Sequence, residues 1–328
     1  MTTRRELLIA LGAGALAAPL ASFAQQQTAK IARIGFLGSE SASGYASRVE
    51  ALRAGLRDLG YVEGKNIVIE FRWAEGKRDR LPDLAAELVR IKVGVLVTHG
   101  TPGTRAAKNA TTTIPIVMAA SGDPVASGLV TSLARPGGNV TGSTFFSPEL
   151  AAKRLELLKE AFPRTKRVAV LMHPDNPLNG PVLTAMERTT RSLKLELKQF
   201  EVRGPDEFKN AFSAMTKSRV DAVTIGQDGM LQANVRAIAD LATKKRIPST
   251  GSKEFGEAGG VIGYGVDFLE LWRRAAVFVD KILKGTKPGD IPVERATRFE
   301  LVINLKTAKA LGIKIPNSIL VRADKVIE

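Results

Sequence analysis

Along the chain, short runs of aliphatic and β-branched residues alternate with longer stretches whose apolar positions recur every three or four residues. "IARIGFLG" (31–38) reads as a buried strand, and behind it Val49, Leu52, Leu56 and Leu59 share one helical face. "NIVIEFRW" (66–73) predicts a second strand, and Leu84, Leu88 and Ile91 a second helix. "VGVLVTHG" (93–100), "IPIVMAASG" (114–122) and "NVTGSTFF" (139–146) continue the series. A short helical segment separates the first two, and "DPVASGLVTSLARPGG" follows the second. Ser147-Pro148, an N-cap followed by a first-turn proline, opens a helix carrying Leu155, Leu158 and Phe162. The same grammar restarts at "RVAVLMHPD" (167–175). It runs through "LELKQFEV" (195–202), a helix from near Asp206, "VDAVTIGQDG" (220–229), and a helix with Leu231, Val235, Ile238 and Ala242 in register. "IPSTGSKEF" and "GGVIGYGVD" precede a helix through Leu271, Ala275, Phe278 and Ile282. Alternating strands and helices predict parallel sheets covered on both faces, and two successive runs predict two lobes. No low-complexity linker separates the runs, so the expected hinge is made of short strands.

Open parallel sheets bind ligands beyond the carboxyl ends of their strands. Here those ends are "GSESASGY", "THGTPGTR", "AASGDPVAS", "MHPDNP" and "GQDGM", rich in hydroxyls, amides, carboxylates and glycine. Two lobes facing each other with such loops predict a cleft that closes on a small polar molecule.

The first stretch, "LIALGAGALAAPLASFAQ" (8–25), contains Gly12-x-Gly14-x-x-Ala17. A phosphate-binding glycine loop needs a strand before it and an acidic residue about 20 positions on, and neither is present. Arg4 and Arg5, an apolar run from Leu7, and small residues at Ser22 and Ala24 instead follow the layout of a secretory signal peptide. Cleavage is expected between Ala24 and Gln25, and the adjacent arginines suggest twin-arginine export. The run is too short to predict a membrane anchor.

Composition narrows the functional classes. Beyond the signal about 300 residues remain, enough for two ordinary domains. The chain has no cysteine and only two histidines, His99 and His173, which removes thiol chemistry, disulfides and multi-histidine metal sites. No cofactor is expected. The formal charge is +15, yet the 48 basic residues are interleaved with 33 acids and form no basic run with stacking aromatics, so no nucleic-acid partner is expected. A hydrolase elbow, Gly-x-Ser-x-Gly, and a phosphate loop ending Gly-Lys-Ser/Thr are both absent. The remaining alternative to a binding protein is an exported α/β enzyme acting on a small metabolite.

Longer strings carry a family resemblance. "GLRDLGYVEGKNIVIEFRWAEGKRDRLPDLAAELV", "THGTPGTRAAKNATTTIPIVMAASGDPVASGLVTSLARPGGNVTG", "KRLELLKEAFPRTKRVAVL", "EFGEAGGVIGYG" and "VDKILKGTKPGDIPVERATRFELVINLKTAKALGIKIPNSIL" span nearly the whole chain after the signal. They resemble the ABC transporter substrate-binding proteins of the tryptophan/tyrosine-binding type. The resemblance implies the α/β, two-lobed type I periplasmic-binding fold, each lobe a parallel sheet covered by helices. It implies a signal peptide at 1–24, an N-lobe at 25–144 and a C-lobe at 145–267. A return segment of the N-lobe is expected at 268–292, and the final crossover and C-lobe piece at 293–328. It further implies a monomeric, soluble periplasmic protein that captures a small polar solute, with an amino acid as the best guess and aromatic or branched ones among the candidates. Its expected partner is a membrane permease, met transiently.

In amino-acid receptors of this fold, N-lobe hydroxyls and backbone N–H groups hold the α-carboxylate, and a C-lobe carboxylate meets the ammonium. By position, the resemblance maps the first role onto Gly100, Thr101 and Ser121, whose loops are expected to open helices. It maps the second onto Asp228. Asp123 is either a helix N-cap before Pro124 or a ligand contact, and Thr101-Pro102 carries the same ambiguity. Asn176 is a candidate amide bridge; His173 either lines the cleft or serves its own loop. Tyr45 and Phe255 are candidate stacking platforms, while Trp73 and Trp272 are expected to pack in the core.

Overall fold

The computed structural model describes residues 31–328. The signal-peptide reading of 1–24, and the start of the N-lobe at 25–30, lie outside the described residues. The first run comprises β1 (Ala32–Gly38), α1 (Ala46–Asp58), β2 (Ile67–Trp73), α2 (Leu81–Arg90), β3 (Val95–Thr98), α3 (Gly100–Ala110), β4 (Ile116–Ser121) and β5 (Val140–Thr144). The second comprises α4 (Ser147–Ala161), β6 (Arg167–Met172), α5 (Asn179–Leu193), β7 (Glu196–Glu201), α6 (Phe208–Lys217), β8 (Ala222–Ile225), α7 (Gly229–Ala233), α8 (Val235–Lys244), β9 (Ser249–Gly251), α9 (Lys253–Glu257) and β10 (Ile262–Val266). The chain then runs through α10 (Phe268–Leu283), β11 (Glu294–Arg295), β12 (Phe299–Asn304), α11 (Leu305–Ala310), α12 (Asn317–Leu320) and β13 (Lys325–Ile327).

Two sheets result, in strand orders β11-β5-β4-β3-β1-β2 and β13-β12-β10-β9-β8-β6-β7. The first is parallel throughout. Its central strands are buried on both faces: Ile34, Phe36, Val95 and Val97 pack toward α1 and α10, while Leu37, Leu96, Ile116 and Met118 pack toward α2 and α3. The second sheet is likewise covered on both sides, with Val168 and Val170 toward α4 and α5 and Ala169, Leu171 and Val223 toward α6 and α8. This double cover explains the near-continuous apolar spelling of these strands.

One pairing departs from the parallel expectation. β12 runs antiparallel to β10, with Phe299 opposite Val266. The cause is topological: β11 has just paired with β5 in the first sheet, so the chain enters the second sheet at the carboxyl end of β10 and must run backwards. The chain thus passes between sheets three times, between β5 and β6, between β10 and β11, and between β11 and β12.

α10 brings the return segment onto the first sheet. Asp267 caps it by accepting from Leu269 and Glu270 N–H (2.8 and 3.1 Å). Leu271, Ala275, Phe278 and Ile282 form its buried face. It lies so close to α1 that a side chain at Gly55 would stand 2.3 Å from the Arg273 carbonyl oxygen. Two local expectations need correction. The expected cap Ser147 is already helical, the N-cap being Phe146 in the left-handed region (φ 51°). The expected long helix through Leu231 and Ala242 is broken at Asn234 into α7 and α8.

Candidate functional site

The carboxyl ends of both sheets face one cleft of about 670 Å3, part of it open to solvent. The first lobe contributes Glu40 after β1, Tyr45 and Arg48 around the start of α1, Arg78 after β2, His99 between β3 and α3, and Gly100 and Thr101 at the start of α3. The second contributes Asn176, Gln227, Asp228, Gly229 and Gln232. Phe145, at the end of β5, and Phe268 and Trp272, on the first two turns of α10, complete it from the hinge side.

Contacts across the cleft hold the lobes together. Arg78 Nη2 donates to Asp228 Oδ2 at 2.5 Å, and the two side chains are 16% and 4% exposed. Asn176 Nδ2 donates to the same oxygen at 2.9 Å, and Asp228 Oδ1 accepts from the Met230 N–H at 3.0 Å. Tyr45 Oη donates to the Gly229 carbonyl at 3.4 Å.

The polar groups of the first lobe are left open. Gly100 sits at φ +67°, a conformation that favours glycine, and starts α3, whose N-terminus has no side-chain cap. Thr101 Oγ1 and Ser121 Oγ are both buried without a hydrogen-bond partner among the described residues. A buried hydroxyl in that condition is costly unless something supplies its partner. Glu40 is 5% exposed and forms no hydrogen bond or ion pair among the described residues. Burial, with Asp228 adding repulsion, pushes its carboxyl up to about 7, Arg78 opposing.

Aromatic rings also line the cleft. Tyr45 stacks on His99 (centroids 4.3 Å apart, 28°), Trp272 lies 5.3 Å from His99 and 5.6 Å from Tyr45, and Phe145 meets Phe268 edge-on at 5.2 Å. Burial pushes His99 down to about 3, Arg48 adding to it, so the imidazole is neutral and its Nε2 is unpartnered.

The expected site residues thus fall into three groups. Gly100, Thr101, Asn176 and Asp228 line the cleft, and Ser121 lies buried between the cleft-lining Ala120 and Gly122. Asp123 does not line it: its Oδ1 accepts from Val125 and Ala126 N–H (3.1 and 2.9 Å), capping a turn. That turn, and no helix, follows Ser121, so of the two loops expected to open helices only the one at Gly100 does. His173 spends Nδ1 on the Asp175 N–H (3.1 Å) and stays outside the cleft, as does Phe255, fully buried in the second lobe's core. Trp73 packs on Phe36 and Phe71, whereas Trp272 both packs and lines the cleft.

Sequence reasoning missed Glu40, Arg48, Arg78, Phe145 and Phe268. Glu40 had a readable signal, being the first acid beyond the first strand. Arg78 and the two phenylalanines had none, because only the folded chain brings the loop after β2 and the first turn of α10 to the same opening.

Comparison with known proteins places this architecture. The family model described as ABC transporter substrate binding protein matches residues 35–327. A tyrosine-binding protein of Clostridioides difficile (strain R20291) is 30% identical over 261 residues, 79% of this chain and 74% of that protein. The crystal structure of an ABC domain in complex with L-Trp from Streptococcus pneumonia superposes with a TM-score of 0.81 at 29% identity, covering 90% of this chain and all of that one. The ligand-free, open structure of a substrate-binding protein with adhesive properties from Clostridium difficile gives 0.64 at 25% identity, covering 90% of this chain and 99% of that one. With two such lobes around one cleft and a family match over nearly all of its described length, this chain belongs to the ABC transporter substrate-binding protein family and has the type I periplasmic-binding fold.

Proposed function

We propose that the protein is the exported receptor of an ABC importer, that it captures an aromatic amino acid in the interlobe cleft, and that it hands the ligand to a membrane permease. The observation that carries the ligand class is the pairing, in one cleft, of unpartnered buried donors with an unpaired carboxylate. In the cleft, Thr101 Oγ1 and the uncapped start of α3 offer donors and partial positive charge for an α-carboxylate, and the unpartnered Ser121 Oγ is buried between the lining residues Ala120 and Gly122. Glu40 offers the counter-charge for the α-ammonium.

Asp228 was the expected ammonium partner. With its oxygens engaged by Arg78, Asn176 and the Met230 N–H, we assign it instead to holding the lobes closed. Tyr45, Phe145, Phe268 and Trp272 provide apolar walls for a flat side chain. The tyrosine-binding and Trp-complexed relatives support this ligand class. The signal-peptide spelling of residues 1–24 supports export, and among the described residues no helix is long and apolar enough to cross a membrane.

The test is thermal unfolding of the chain from Gln25 onward against aromatic, branched and other amino acids, sugars and dicarboxylates. A ligand at 100 times its Kd adds about 2.7 kcal/mol, a readily measured rise in midpoint. A shift with aromatic amino acids, and their recovery unaltered, is expected. A response confined to non-amino-acid solutes would overturn the ligand class, and chemical conversion of the ligand would overturn the receptor reading.

A further inference from the structure

A zwitterion alone leaves the charges of the closed cleft unbalanced. Arg78 and Asp228 neutralise each other, and in the proposed complex Glu40 and the start of α3 are matched by ammonium and α-carboxylate. Arg48 is left over. It is 7% exposed and lines the cleft, yet it makes no hydrogen bond or ion pair with any described residue. Glu254, on α9 in the other lobe, feels this charge but stands beyond ion-pair distance, and its own burial holds it toward the neutral acid.

The guanidinium lies among aromatic rings, 4.7 Å from the Tyr45 centroid and 5.7 Å from that of Phe268. Cation–π contact recovers part of what burying the ion costs, but it offers no acceptor to the five N–H groups. Tyr45 is also the ring on which His99 stacks, and the His99 Nε2 is buried and unpartnered. Two open polar groups therefore flank the aromatic wall of the cleft. Whatever meets them is carried by the part of the ligand that packs against that wall. A neutral hydroxyl would give the guanidinium an acceptor and leave its charge uncompensated, whereas a carboxylate matches it in both charge and planar geometry.

We propose that Arg48 forms a second anion subsite, and that the ligand is an aromatic amino acid whose ring bears a further anionic oxygen group such as a carboxylate. This inference rests on the amino-acid reading above and narrows it.

The experiment is calorimetric titration of L-phenylalanine, L-tyrosine, 3-carboxy-L-phenylalanine and 4-carboxy-L-phenylalanine into wild-type protein and Arg48→Gln at pH 8. One of the carboxylated compounds is expected to bind wild type at least about tenfold tighter than L-phenylalanine, with L-tyrosine between. In Arg48→Gln that preference, read as the ratio of the two Kd values within one protein, should collapse to roughly threefold or less. Equal or tighter binding of L-phenylalanine by wild type overturns the subsite, and this ranking decides the matter even if the variant does not fold. An equal loss for all four ligands in Arg48→Gln also overturns it, since the guanidinium would then be holding the α-carboxylate they share. Binding of other amino acids but none of these four removes the subsite and leaves an amino-acid receptor, whereas binding of no amino acid at all overturns the proposed function with it.

Discussion

Arg78 and Asp228 meet across the cleft, one from the loop after β2 and the other from the loop after β8, in a 2.5 Å contact that is largely withdrawn from solvent. The pair joins the two lobes directly, and Asn176 fixes the carboxylate from its own side. An interlobe ion pair of this kind biases the open–closed equilibrium, and a ligand that binds only the closed form inherits that bias.

The first prediction concerns this pair. Asp228→Asn and Arg78→Gln should each weaken ligand binding about 10- to 100-fold by loosening closure, and the double variant should be little worse than either. Calorimetric titration of the four proteins gives the coupling energy, expected to be at least about 1 kcal/mol. Strict additivity would mean that the two residues do not act as a latch.

The second concerns pH. Burial raises Glu40 from 4.5 to about 7 in the folded protein. Between those values the folded chain binds the extra proton, so Glu40's contribution to stability is present below the unfolded pKa and is lost as pH rises through the folded one. Ligand-free Glu40→Gln should therefore gain on wild type as pH rises from about 5 to 8, by an amount on the order of 2–3 kcal/mol at the upper end. An ammonium ligand works in the opposite sense, since it needs the ionised carboxylate: wild-type affinity should rise across the same range and Glu40→Gln should bind weakly and without that slope. Denaturation and titration at each pH check both, and parallel wild-type and variant curves would rule out the assignment.

How far the sequence anticipated this site follows from what kind of proximity each residue needs. Gly100 and Thr101 were legible because a strand end, a glycine and a helix start are consecutive in the chain. The sheets were legible because strands such as Val95–Thr98 are apolar on both faces. Asp123 was ambiguous in sequence because Asp-Pro opens a capped turn as readily as a helix. Arg48 carried no distinguishing signal in the sequence, and Trp272 read as a packed helix residue. Their role at the cleft arises from α1 and α10 lying against each other, a contact between segments more than 200 positions apart. The antiparallel β12 was illegible for the same reason: its direction is set by where the chain re-enters the second sheet.

The third prediction separates binding from folding. Thr101→Val and Ser121→Ala remove hydroxyls that have no partner among the described residues. Each should cost the ligand about 1–2 kcal/mol, roughly tenfold in Kd, while the ligand-free unfolding midpoint stays level or rises. A fall in that midpoint with unchanged affinity would assign the hydroxyls to the fold instead of the ligand.

The last prediction uses the two tryptophans as built-in reporters. Trp272 lines the cleft within 5.6 Å of Tyr45, whereas Trp73 lies away from it against Phe36 and Phe71. A ligand packed on the aromatic wall changes the surroundings of the first indole and leaves those of the second alone. Titration with L-phenylalanine, which does not itself emit in the tryptophan band, should therefore change the intrinsic emission of wild type and of Trp73→Phe, and leave that of Trp272→Phe flat. Since Trp272 also packs against Phe36 in the first lobe's core, Trp272→Phe leaves a cavity and should lower the unfolding midpoint as well, while retaining measurable binding by calorimetry. If the signal instead followed Trp73, the ligand would sit outside the cleft formed by Tyr45, His99 and Trp272, and the proposed orientation would fail.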